Sequence, residues 1–113
     1  MGKILVVGND FDTMALLQTW LQYKNYIATF TGKAEEVPQL VIKFKPDMLI
    51  VDVLQGTVVE KLKLNKETQH VPILLMTGYT ISKKTPLTNL ADDVIEKPFN
   101  LPLLERKIKW LIR

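Results

Sequence analysis

Residues 46–52 read Pro-Asp-Met-Leu-Ile-Val-Asp, an apolar series between two acidic residues. Met48, Leu49, Ile50 and Val51 are an unbroken apolar series, which suits a strand covered on both faces and therefore a parallel sheet flanked by helices. The series stops at a carboxylate, Asp52. In open α/β sheets ligands bind at the carboxyl edge of the strands, so Asp52 is the first side chain that needs a functional explanation.

On both sides of this strand, apolar runs alternate with helical spacing. Lys3 to Val7 is an apolar run followed by Gly8, Asn9 and Asp10, which are turn and helix-start residues. Met14, Leu16, Leu17, Trp20 and Leu21 then recur at helical spacing through about Lys24. Tyr26 to Phe30 is a short β-rich run bounded by Asn25 and by Thr31 and Gly32. Val37, Leu40, Val41 and Phe44 predict a second helix that begins close to Pro38, where a missing amide donor is tolerated. Pro46 closes it, because the residue before a proline avoids helical angles.

Beyond Asp52 the pattern continues. Val53 to Thr57 reads as a loop, and Val58, Val59, Leu62 and Leu64 as a helix of about two turns. Val71 to Met76 predicts a fourth strand ending at Thr77 and Gly78, with Pro72 at its entry. Ser82 to Ala91 predicts a short helix interrupted by Pro86. Val94 and Ile95 form a fifth strand, stopped by Lys97 and Pro98, and Asn100 caps a last helix with Leu101, Leu104, Ile108 and Leu111 on one face. Five strands alternating with helices specify a doubly wound parallel sheet, because such crossovers are right-handed.

Length and composition narrow the function classes. A chain of 113 residues, 47% of them hydrophobic, is expected to form a single domain over residues 1–113 with one core. There is no cysteine and His70 is the one histidine, which excludes disulfides, thiolate chemistry and multi-histidine metal sites. The net charge of +3 comes from scattered lysines without interleaved aromatics, so nucleic-acid binding is not expected. No membrane-length apolar run or signal peptide is visible, and a cytoplasmic location is the expectation. The chain stops straight after its last helix, so no output domain is expected. Trp20 and Trp110 read first as packing residues.

Three side chains fall at strand carboxyl ends: Asp52, Thr77 and Lys97. In a parallel sheet those ends share one edge, and the combination suggests a phosphoryl site. An aspartate can hold a phosphoryl group as an acyl phosphate, a lysine supplies fixed positive charge, and a threonine hydroxyl donates to a phosphoryl oxygen.

KILVV near the start, KPDMLIVD, ETQHVPILLMTG and ADDVIEKPF, taken in this order and spacing, resemble the response-regulator receiver family, the CheY-like domains of two-component signalling. The resemblance implies a flavodoxin-like sheet of strand order 2-1-3-4-5 with helices on both faces. It implies a signalling domain rather than an enzyme: Asp52 as phosphoacceptor, Thr77 as switch hydroxyl and Lys97 as phosphate contact. It further implies Mg2+ held by Asp52, the backbone carbonyl of Leu54 and the residues after the first strand. A sensor histidine kinase or phosphotransfer protein is the implied phosphoryl donor. An effector protein, or a second copy in a homodimer, is the implied output partner. In the family the output face is built by the fourth helix, the fifth strand and the last helix, which nominates Trp110, Leu103 and Val94.

The departures from the family are specific. Where it places two adjacent acidic residues, this chain has Gly8 and Asn9, so Mg2+ binding through Asn9, Asp10, Asp52 and Leu54 is expected to be weak or absent. Val94 replaces the usual aromatic three residues before the lysine, which removes the aromatic relay. The segment between Asp52 and Thr77 is short, and Gly56 stands where proline is common. Asp10 and Asp12 serve equally well as stabilisers of the first helix's amino end. These differences motivate a second reading, a phosphorylation-independent pseudo-receiver that acts as an interaction module. A third, a flavin or nucleotide binder on the same fold, lacks the required phosphate cradle after the first strand.

Overall fold

The computed structural model describes residues 2–78 and 90–112. Its elements are β1 (Lys3–Val7), α1 (Phe11–Tyr23), β2 (Ile27–Thr31), α2 (Val37–Phe44), β3 (Met48–Asp52), α3 (Thr57–Lys63), β4 (Ile73–Thr77), β5 (Asp93–Glu96) and α4 (Leu101–Ile112). The five strands pair in parallel in the order β2-β1-β3-β4-β5, the order that the resemblance implies. β3 and β4 are buried along their whole length, which is why their sequences show no polar alternation.

The pleat of the central strands divides the core into two layers. Ile4, Val6, Ile50 and Met76 face α1 and α4, where they meet Leu17, Trp20, Leu104 and Ile108. Leu5, Val7, Val51 and Leu75 face α2 and α3, where they meet Val37, Val41, Val58 and Leu62. Two paired carboxylates register the amino edge of the sheet. Asp47 accepts the backbone N–H of Lys3 at 2.8 Å, and Asp92 accepts both the N–H of Ile73 and the ammonium of Lys63 at 2.7 Å.

The helix ends follow local chemistry. Asn100 accepts the N–H of Leu103 at 3.0 Å as the cap of α4. Pro38 lies in the first turn of α2, and Lys45, at φ 53°, ends that helix in the left-handed conformation.

Several expectations need adjustment. Leu16 is 45% exposed: the buried stripe of α1 runs through Thr13, Leu17, Trp20 and Leu21, and Leu16 lies beside it. Leu64 is exposed because α3 ends one residue earlier. β2 and β4 each begin later than their apolar runs and extend through Thr31 and Thr77, since the ladder, not hydropathy, sets their ends. The stretch expected as plain loop after Asp52 contains a single 3₁₀ turn at Val53–Gln55, and another 3₁₀ turn, Ala34–Glu36, precedes α2. The helix expected over Ser82–Ala91 lies, but for Leu90 and Ala91, outside the described residues.

Candidate functional site

Strand register is what assembles the site. Asp52, the last residue of β3, sits opposite Met76 of β4, and the next β4 residue, Thr77, sits opposite Glu96 of β5. Lys97 follows directly, and its backbone N–H donates to the carbonyl of Thr77 at 2.8 Å. Residues separated by up to 45 positions are thus brought to one rim by one-residue steps across adjacent strands.

Asp52 is only 2% exposed. A carboxylate removed from water needs charge compensation and hydrogen bonds, and both are present. Its Oδ2 accepts from the Lys97 ammonium at 2.8 Å, and its Oδ1 accepts the N–H of Leu54 at 3.1 Å. The first contact supplies the countercharge, and the second fixes the carboxylate through the 3₁₀ turn that follows β3. Thr77 is equally buried, but its carbonyl, not its hydroxyl, is the group that meets Lys97. A cleft of about 490 Å3 opens beside the lysine, lined by Asp12, Thr13, Leu16, Gly78, Lys97 and Phe99.

The β1–α1 side of the rim is built from other chemistry. Asp10 is the residue before α1, and its Oδ2 accepts the hydroxyl of Thr13 rather than a backbone N–H. That hydrogen bond holds the Asp10 carboxyl below its usual range, against a smaller opposing effect of burial, and the Lys97 charge adds to the lowering. Asp12, in the first turn of α1, is exposed. Gly8 is anchored by its N–H to the carbonyl of Thr31 at 3.0 Å. A Cβ on Gly8 would lie 2.8 Å from the Met14 methyl and 3.3 Å from the Asp52 Cβ. A Cβ on Gly32 would collide with Asn9 Oδ1, so the Asn9 amide leans toward the end of β2. β2 and β3 flank β1 on opposite sides, so this is away from Asp52.

Magnesium requires hard oxygen ligands in octahedral array, usually with one or two carboxylates. Of the expected donors, Asp52 is tied to Lys97, Asp10 to Thr13, and Asn9 leans on Gly32. Among the described residues no group of three or more Asp, Glu, His or Cys side chains could hold a metal ion. The donor set does not match a magnesium site.

The sequence reading nominated Asp52, Thr77 and Lys97, and the structure puts all three on one rim with Asp52 and Lys97 in contact. It missed Thr13, Met14 and Gly32. Helical periodicity assigns Met14 to the core, which conceals its position beside Gly8. On the nominated output face, Trp110 is 62% exposed and Leu103 half-buried on α4, whereas Val94 packs toward the α2–α3 layer.

Comparison with known proteins agrees with this geometry. A family model described as "Response regulator receiver domain" matches residues 4–109. The CpxR homolog of Haemophilus influenzae, a transcriptional regulatory protein, is 30% identical over 100% of this chain and 51% of its own length. The chain spans about half the length of the curated relatives it matches. A putative response regulator from Chloroflexus aurantiacus superposes with a TM-score of 0.89 at 28% identity, covering 98% of this chain and 97% of that one. The response regulator TrrA of Thermotoga maritima, solved with Mg(2+)-BeF, gives a TM-score of 0.86 at 26% identity, covering 98% of this chain and 99% of that one. A structure of the histidine kinase ThkA in complex with TrrA matches at 25% identity with the same TM-score of 0.86, covering 100% of both chains. With a family model spanning nearly its whole length and the acceptor-side geometry in place, the chain belongs to the response regulator receiver domain family of two-component signalling.

Proposed function

We propose that Asp52 accepts a phosphoryl group from a phosphohistidine of a sensor kinase or phosphotransfer protein. A carboxylate oxygen attacks phosphorus, the P–N bond breaks, and the departing imidazole keeps the electron pair and takes up a proton. The observation that carries this reading is the 2.8 Å contact between Lys97 and the buried Asp52 carboxylate. The ammonium already stands where the negative charge of a phosphoryl group would arrive, which is the preorganised electrostatics that such a transfer needs. On phosphorylation Lys97 follows the new oxygens, and the Thr77 hydroxyl turns to donate to one of them. The complex of ThkA with TrrA supports a kinase as donor.

With Gly8 and Asn9 in place of the acidic pair, a divalent cation contributes little to this site, and Lys97 is the cation on which the acyl phosphate relies. Output runs through a two-state surface biased by the new charge. Trp110 and Leu103 on α4 are the contact residues for an effector or a second copy. Lacking the aromatic relay, Val94 transmits nothing by ring rotation.

Intact-mass measurement after incubation with acetyl phosphate, and separately with a phosphorylated histidine kinase, tests the proposal. The expected result is a gain of one phosphoryl group that disappears in Asp52→Ala. No Asp52-dependent gain from either donor would overturn it and leave the interaction-module reading.

A further inference from the structure

We infer that the corner of the site next to β1 is closed to divalent cations by Met14, while Asn9, turned to the β2 side, brings no ligand to it, and that Met14 is the residue that sets this exclusion. The inference rests on the reading of Asp52 as the acceptor, and it adds a specificity determinant to that site. Gly8 leaves an opening beside Asp52, since a Cβ there would come within 3.3 Å of the Asp52 Cβ. That opening is taken up by Met14, whose methyl and sulfur approach the same point to 2.8 Å and 3.4 Å. A thioether is a soft, weak ligand that magnesium and manganese do not select over water. The hard oxygen that a side chain at position 8 would bring is therefore replaced by an apolar plug.

The Asn9–Gly32 pair withdraws the other donor that the corner could have had. The amide oxygen of Asn9 occupies the space that a side chain at position 32 would fill. Gly32 has a negative φ, so backbone freedom does not explain a glycine there, whereas room for Asn9 does. With Asn9 accommodated on the β2 side and Asp10 held by Thr13, Asp52 is left with Lys97 as its neutralising charge. The two pairs, Gly8 with Met14 and Gly32 with Asn9, are complementary in shape, so the corner is rebuilt rather than merely stripped of charge.

The test is direct binding of Mn2+, followed by electron paramagnetic resonance of the free ion, with Mg2+ as competitor and no phosphoryl donor present. Its outcome is thereby separate from whether Asp52 is phosphorylated. The wild-type chain is expected to show no saturable site at millimolar ion. Gly8→Asp/Met14→Ala is expected to bind at least about tenfold tighter than Gly8→Asp, the low end of what groups behind a metal's ligands contribute. Adding Asp52→Asn removes that binding. Saturable wild-type binding that is lost in Asp52→Asn overturns the inference, as does equal affinity of the two Gly8→Asp variants. Position 8 is buried, so should Gly8→Asp fail to fold by circular dichroism, Asn9→Asp with and without Met14→Ala takes its place. There the same tenfold gain on removing Met14 is expected, and equal affinity again overturns the inference.

Discussion

The carboxyl edge of the sheet has two sides that meet at Asp52. Toward β4 and β5, hydrogen-bonded register does the positioning: Met76 opposite Asp52, Glu96 opposite Thr77, and Lys97 delivered one step further on. Toward β1 and β2, the positioning is by shape, through two glycines whose absent side chains are replaced by Met14 and Asn9. The first side keeps a buried charge pair. The second keeps close packing and gives up negative charge. On the proposed reading, the site is separable into an anion-facing half, where Lys97 meets Asp52, and a cation-facing half, where Gly8 and Asn9 stand.

If that division is correct, the strongest response comes from the charge pair. Losing one partner of a fully buried pair costs roughly 3–5 kcal/mol because the other charge is stranded. The Lys97 side chain is 24% exposed, so water partly replaces it, and Lys97→Met is expected to lower stability by about 2 kcal/mol. Asp52→Asn is expected to cost less than about 1 kcal/mol, since the freed ammonium reaches water and the amide oxygen still accepts from Leu54. Urea unfolding at neutral pH measures both. Equal losses would mean that the burial asymmetry of the pair has no energetic consequence.

The shape-built side predicts a smaller effect that depends on its neighbour. Gly8→Ala places a methyl group against Met14 and is expected to cost about 1 kcal/mol, because a flexible thioether yields more readily than backbone. In a Met14→Ala background the same substitution is expected to be nearly free, giving a coupling of similar size in a double-mutant cycle. Additive losses would show that Gly8 is required for another reason, and the comparison between the two sides would lose its basis.

How much of this was legible in the sequence follows the same division. The apolar series of β3 and β4 could be read because complete burial leaves no alternation, and the chemistry of Asp52, Thr77 and Lys97 could be read because register makes strand ends meet in any parallel sheet. Gly8 and Asn9 were visible as departures, but their consequence was not. Whether a missing side chain leaves a void, a water site or a plug depends on which neighbour turns into the space. Met14, six residues on, carries no signal that separates it from Leu17 or Leu21. The exposure of Leu16 beside the cleft was hidden for a related reason: apolar spacing on α1 is broad enough to suggest a wider buried face than the sheet covers. Val94 shows the limit in the other direction, since its place in the motif is clear while its packing toward α2 and α3 follows from the pleat of an edge strand.

The smallest effect concerns the one charge felt on both sides. Asp10 is held below the ordinary carboxylate range first by the Thr13 hydroxyl and to a lesser degree by Lys97. A carboxyl group whose folded value is lowered contributes stability that is complete above its unfolded value and is lost as pH falls through the folded one. Thr13→Val should therefore raise the Asp10 value toward the ordinary range and narrow that acidic window, leaving behaviour at neutral pH unchanged. Asp10 is an exposed carboxyl, so the readout is its own carbon chemical shift in an NMR titration rather than a melting curve. Lys97→Met should raise the same value by a smaller amount. A larger shift from Lys97→Met than from Thr13→Val would mean that the ammonium, and not the local hydroxyl, governs the β1 side. The two halves of the rim would then be one electrostatic unit in spite of their different construction.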